Sequence, residues 1–258
     1  MNQTLRVDLN ADVGEAFGAR RVGDDEPIFR YVTSGNVACG FHAGDPNIIA
    51  ATIKAAAAHS VSVGAHPSYP DTTGFGRRSM EISPDELESA IAYQIGAVSA
   101  IGRSLGVKIA HVKPHGALYN DAAKNPALAA AVARSVAAYD RDLILVGLAG
   151  SHSIAAARAA GLRTAAEAFC DRAYEADGSL RSRTHPGAVL DDPTQTAAQA
   201  VEIVVKKQVT AVNGRAVRID AQTLCIHGDS PNATETASAV RSALTRAGVQ
   251  IVPLDQLV

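Results

Sequence analysis

The sequence predicts an α/β protein folded as a single (β/α) barrel of about seven strands, irregular in its units. Three observations lead there. Short apolar runs alternate with longer helical patterns about seven times along 258 residues, which implies parallel strands joined by right-handed crossovers. Helix starts are marked by a capping side chain followed by proline at the first helical position, as at Asp45-Pro46, Ser83-Pro84, Asn125-Pro126 and Asp192-Pro193. Polar residues collect at the C-terminal end of strand after strand, which is where parallel α/β folds bind ligands. An open doubly wound sheet is the alternative. No GxGxxG follows the first strand and no P-loop lysine motif is present, so its nucleotide-binding versions lack their signatures.

Taken in order, strands are expected at 5–10, 36–39, 61–65, 108–112, 143–148, 164–169 and 223–226, with helices in the gaps. Ser83 and Glu86 have capping-box spacing. Gly106 and Gly161 sit where helices should end. The stretch 209–221 reads as a small hairpin around Asn213-Gly214. No Pro-rich linker or low-complexity segment divides the chain, so one domain over 1–258 is expected.

Composition bounds the function. Apolar residues are 47 % of the chain but aromatics only 4 %, without tryptophan, so small and branched aliphatics must fill the core. Lys and Arg number 24 against 26 Asp and Glu, for a net charge of -2; this argues against a nucleic-acid or membrane surface as the main partner. Cys39, Cys170 and Cys225 are far apart, which favours a reducing compartment over a disulfide framework. With neither a signal peptide nor a membrane span in the pattern, a cytoplasmic protein is expected.

The chemistry lies at the strand ends. Side chains alternate faces along a strand, so Asp8, Asn10 and Asp12 share one face, and so do His111, Lys113 and His115. Leu9 and Val112 are the natural helix-facing residues, which turns both polar triplets into the lumen. There they need partners or a ligand. A lone buried histidine is more often a hydrogen-bonded core residue than a ligand. His59, at a helix end, is read as structural or solvated, His152 as a helix cap after the fifth strand, and Asp45 first as a cap. His185, in a long loop, is left open. Packing alone explains less well why Asp12, His42, His66 and His115 all fall at strand ends. They suit a divalent metal with an open position for water, with Asp12, His42 and His66 as the ligand set, or metal-free acid–base catalysis. Cys39 as a nucleophile is a third option, disfavoured because buried cysteines usually pack as small hydrophobes. The loops add arginines: Arg77 and Arg78 after the third strand, then Arg172, Arg181 and Arg183 in the span 171–190. Arginine grips carboxylate or phosphate through paired hydrogen bonds.

These residues also carry a resemblance. Asp8-Leu9-Asn10-Ala11-Asp12-Val13-Gly14-Glu15, Asn36-Val37-Ala38-Cys39-Gly40-Phe41-His42-Ala43-Gly44-Asp45, Gly64-Ala65-His66-Pro67, Gly74-Phe75-Gly76-Arg77-Arg78, Val112-Lys113-Pro114-His115-Gly116, Glu167-Ala168-Phe169-Cys170-Asp171-Arg172 and His227-Gly228-Asp229 resemble the signatures of the LamB/YcsF family over nearly the whole chain. The resemblance implies a barrel related to the glycoside hydrolase/deacetylase superfamily. It implies ATP-dependent hydrolysis of 5-oxo-L-proline to L-glutamate, performed with two partner subunits, B and C. A homo-oligomer is compatible with it. Joined to the residue reading, Asp12 and His66 would activate water, while Lys113 and His115 would stabilise charge or protonate the leaving nitrogen. Asn10, Glu15, Arg77, Asp171, Arg172 and His227 would contact substrate. Without a P-loop here, ATP would be handled with or by the partners. The rival readings are a metal-dependent deacetylase or carbohydrate hydrolase, and a non-catalytic ligand-binding subunit.

Overall fold

The structure, a computed structural model, describes residues 4–16, 25–227 and 232–258. In chain order the strands and helices are β1 (Arg6–Val13), β2 (Ser34–Ala38), α1 (Pro46–Ala58), β3 (Ser62–His66), α2 (Pro84–Ser104), β4 (His111–Val112), α3 (Gly116–Lys124), α4 (Pro126–Tyr139), β5 (Ile144–Leu148), α5 (His152–Ala159), β6 (Arg163–Phe169), α6 (Pro193–Lys206), β7 (Gln208–Thr210), β8 (Ala216–Arg218), β9 (Thr223–Ile226), α7 (Ala233–Arg246) and β10 (Gln250–Ile251). β1 pairs in parallel with β2 on one side and β9 on the other, so β1 to β6 and β9 close a seven-stranded parallel barrel. β7 and β8 form the expected antiparallel hairpin.

The capping chemistry sets the helices. Asp45 accepts from the backbone N–H of Asn47 and Ile48, Asn125 from Ala127 and Leu128, and Asp192 from Thr194. Ser83 and Glu86 complete the capping box. His59 closes α1, its Nδ1 2.9 Å from the Ala55 carbonyl. His152 is the first residue of α5 rather than its cap, which is Ser151.

Strand lengths depart from the pattern. β1 runs to Val13, three residues past the expected end, and this carries Asp12 deeper into the ladder. β4 shrinks to two residues, with Pro114, which has no N–H to give a neighbour, just beyond. β10 pairs with the start of β1 outside the ring and is too short for periodicity to reveal.

The two strand faces have different contents. Leu9, Ala11, Val37, Val63, Val112, Leu145 and Leu224 pack under the helices with Ile53, Ile91, Ile95, Val132 and Val240. The lumen has an apolar layer of Ile144, Val146, Ala165 and Leu254 and otherwise a hydrogen-bonded polar network. Asp8 accepts from Thr33, Ser34 and Thr223. Asn10 donates to Glu167 and Thr223 and accepts from Asn36. His111 donates from Nε2 to Asn36 Oδ1 at 2.8 Å. Gly64 is required beside it, because a Cβ there would overlap the His111 ring. Among the described residues no helix is long and apolar enough to cross a membrane.

Candidate active site

At the C-terminal ends of the strands a cavity of about 460 Å³ opens over the lumen. Asp12, Glu15, His66, Lys113, His115 and His227 are among its lining residues.

On one side four side chains form a cup. Glu15 follows the turn at Gly14, where φ is +69°. Its Oε1 lies 3.3 Å from His42 Nε2, 3.3 Å from His115 Nδ1 and 4.0 Å from His66 Nε2. The His42 and His115 rings stack at 3.9 Å, with His66 edge-on to both. Backbone carbonyls fix two of the tautomers. His66 Nδ1 donates to Lys113 O at 2.6 Å, and His115 Nε2 donates to Phe75 O at 2.9 Å. The remaining nitrogens, His66 Nε2 and His115 Nδ1, then face each other 3.0 Å apart beside the Glu15 carboxylate. Burial, and the neighbouring imidazoles, push His42 and His115 well below the usual histidine range, so both are neutral. Neither His42 nitrogen has hydrogen-bond geometry to any partner among the described residues. Three imidazoles and a carboxylate converging on one point are donors of the kind a divalent cation takes. Glu15, His42, His66 and His115 are thus a buried cluster that could bind a metal. The expected set of Asp12, His42 and His66 is altered accordingly: Glu15 and His115 join, and Asp12 stands beside, 3.3 Å from His66 Nε2.

Asp12 links the cup to the lumen. Burial opposes its ionisation, but His66 and Lys113 outweigh that and hold its carboxyl well below the usual range. Lys113 Nζ lies 3.0 Å from Asp12 Oδ1 and 3.0 Å from Glu167 Oε1, 3.2 Å from Asn10 Oδ1 and 3.1 Å from Cys225 Sγ. An ammonium has three protons, and four acceptors already surround this one. Lys113 is therefore the counter-ion of two buried carboxylates. Asn10, expected at the substrate, is turned into this network and is only 2 % exposed.

A second unit lines the same cavity beside Asp12. Asp171 accepts from His227 at both the backbone N–H, 3.0 Å, and Nδ1, 2.8 Å. This fixes the His227 ring with Nε2 as its second nitrogen, and a ring nitrogen of His227 lies within 4.8 Å of the Asp12 carboxylate. Asp171 thus orients His227 from behind. Gly228 and Asp229 lie outside the described residues. Phe169 stacks on His227 at 5.4 Å, and Tyr119 meets Phe169 edge-on at 5.8 Å. Both aromatics line the cavity, and the residue pattern did not single them out. Tyr119 carries a signal in its position, one helical turn after His115.

The arginines divide. Arg77 and Arg183 line the cavity. Arg172 lines it too, but its Nε and Nη2 donate to the carbonyls of Ala188 and Arg181, so it staples the 171–190 loop. Burial, and the nearby charge of Arg183, lower it to about 10. His185 is exposed in the same loop. Cys39 is closed off as a nucleophile: it is 2 % exposed and burial pushes its thiol far up.

The LamB/YcsF family profile matches residues 7–258. The chain belongs to this family. Among its relatives is the 5-oxoprolinase A-subunit of Tolumonas auensis, 51 % identical over 246 residues, covering 95 % of this chain and 98 % of that protein. The protein of the same name from Chloroflexus aurantiacus is 51 % identical over 247 residues, covering 96 % and 98 %. A crystal structure of a lactam utilization protein from Thermus thermophilus superposes with TM-score 0.92 at 48 % identity, covering 97 % of this chain and all of that one. A T48 deacetylase structure, TM-score 0.50 at 16 % identity, shares the barrel alone.

Proposed function

We propose that this chain is the ring-opening component of an ATP-dependent 5-oxoprolinase, which hydrolyses 5-oxo-L-proline to L-glutamate while ATP is cleaved to ADP and phosphate. Partner subunits B and C would supply the nucleotide chemistry in the cytoplasm, and residues 1–258 would act as one barrel domain. The names and coverage of the relatives support the substrate. One observation supports the mechanism: an ionised Asp12 and an Asp171-oriented His227 line one cavity with a carboxylate oxygen and a ring nitrogen within 4.8 Å, so a base and an acid can meet a single ligand.

A lactam resists water because amide resonance must be broken before the carbon–nitrogen bond. In this reading Asp12 orients the attacking water and takes its proton, held as an anion by His66 and Lys113. His227 delivers a proton to the leaving ring nitrogen, and Asp171 holds its ring in place through Nδ1. Phe169 and Tyr119 give the ring methylenes an apolar wall, and Arg77 with Arg183 receive the substrate carboxylate. Glu15, His42, His66 and His115 would hold a divalent ion, which when bound polarises a carbonyl or lowers the pKa of water.

Reconstitution with both partners tests the proposal. Asp12→Asn and His66→Ala should each reduce ring opening about 10²–10⁴-fold with the fold intact. Near-normal turnover by both variants would sink the assignment.

A further inference from the structure

We infer that the segment 71–78 is a clamp that sets the cation affinity of the histidine cup, with the Asp71–Arg78 pair as its latch; this rests on the metal reading above. The clamp begins with a buried carboxylate. Asp71 accepts from the Gly74 N–H at 2.9 Å, from Arg78 Nε at 3.0 Å and from Arg78 Nη2. Its backbone carbonyl takes the Gly76 N–H at 2.9 Å. The turn is closed on itself, and the Arg78 hydrogen bonds draw the Asp71 carboxyl down to about 2.

The closed turn forces its crest into a costly shape. Phe75 has φ +56°, a left-handed conformation that a bulky side chain adopts only when its surroundings hold it there. Gly76 follows at φ +64°, where a Cβ would come within 2.9 Å of the His115 ring and 3.0 Å of His42. What this shape achieves is aim. The Phe75 carbonyl reaches His115 Nε2, and its ring stands edge-on to His42 at 5.6 Å and His115 at 5.4 Å. The Gly76 carbonyl accepts from the Ala117 N–H at 2.9 Å, which ties the clamp to the start of α3 just after His115.

The energetic consequence concerns a tautomer. With Nε2–H held by the Phe75 carbonyl, His115 turns the Nδ1 lone pair toward Glu15 and His66. If Phe75 withdrew, the imidazole could move its proton to Nδ1 and donate to Glu15, satisfying the cup without a cation. The clamp removes that escape. Metal-ligating histidines commonly donate their other N–H to a carbonyl in this way, and loss of such a partner typically weakens binding about 10–100-fold. Arg78 acts at a distance: its side chain is 65 % exposed, and its bonds go to Asp71 rather than to the four cup residues.

The test is a titration of the full-length chain, freed of metal by chelation, with Co²⁺ and with Zn²⁺ against a chromophoric chelator. Wild type, Arg78→Ala, Asp71→Asn and Arg78→Lys are compared. Arg78→Ala and Asp71→Asn should bind both ions about 10–100-fold more weakly and shift the visible Co²⁺ band. Arg78→Lys, which keeps the charge but loses the fork, should fall between them and wild type. A purely structural pair would lower the melting temperature and leave affinity and band unchanged, and that outcome overturns the clamp. Wild-type protein that binds neither ion overturns the metal reading and the clamp with it. Equal binding by wild type and the latch variants overturns the clamp alone.

Discussion

The two sides of the mouth solve the same problem, holding imidazoles in place, in opposite ways. The cup built from the ends of β1 to β4 is buried and has two of its three imidazoles held by main-chain carbonyls. The side built from β6 and β9 uses one histidine, oriented by one carboxylate, beneath the long 171–190 loop with its two isolated bridges. The first arrangement spends rigidity on several ligands at once, as cation binding requires. The second leaves a single ring nitrogen toward an open cavity, as proton transfer requires.

That contrast makes the largest predicted effect a double one. His66→Ala should lower both metal affinity and ring opening, the latter about 10²–10⁴-fold, whereas His227→Asn should lower kcat about 10²–10⁴-fold and leave Co²⁺ affinity within error. If His227→Asn also loses the metal, the two sides are a single site and the comparison fails. Activity of reconstituted enzyme and metal titration of the isolated chain separate these outcomes.

The lumen beneath should answer to packing. Gly64→Ala drives a methyl into the His111 ring, so overpacking should cost about 1–3 kcal/mol. Thermal unfolding should report it as a fall of several degrees. An unchanged melting temperature would mean that His111 has room to move, and that the polar column is looser than its hydrogen bonds indicate.

On the rim, Arg183→Ala should raise KM for 5-oxoproline about 10-fold, equivalent to about 1.4 kcal/mol, with kcat nearly unchanged. A fall in kcat at constant KM would place Arg183 at the reacting atoms and not at the carboxylate.

How much of this was legible depends on what a period of two can carry. It put Asp8, Asn10 and Asp12 on one face, and His111, Lys113 and His115 on another, because alternation is a property of the strand itself. It could not assign partners. Glu15 read as a substrate contact, yet the left-handed turn at Gly14 carries it into the cup. Asn10 and Lys113 read as mouth residues, but the ring of strands brings Glu167 and Cys225, distant in sequence, to meet them. Arginine was the least legible. Arg78 and Arg172 look like anion ligands by composition and are loop fasteners in the structure, since a guanidinium binds whichever acceptors the fold presents.

The smallest effect at neutral pH is also the most diagnostic of the lumen as a medium. Asp8 is wholly buried, and burial outweighs its three hydroxyl donors to raise it to about 6. A carboxyl whose folded pKa exceeds its unfolded value stabilises the fold fully below about pH 4, and that contribution is lost as pH rises through about 6. For this shift the loss is on the order of 3 kcal/mol. His111, lowered to about 3 mainly by burial, has the opposite slope over part of the same range, so the wild-type profile alone mixes the two. Asp8→Asn isolates the carboxyl: the Thr33, Ser34 and Thr223 hydroxyls can turn to meet an amide, so stability near pH 7 should change by about 1 kcal/mol or less. Between pH 4 and 7 the difference between wild type and variant, measured by denaturant unfolding, should drift steadily in the variant's favour. A constant difference across that range would mean that Asp8 titrates as an ordinary carboxylate, and that water reaches the lumen floor.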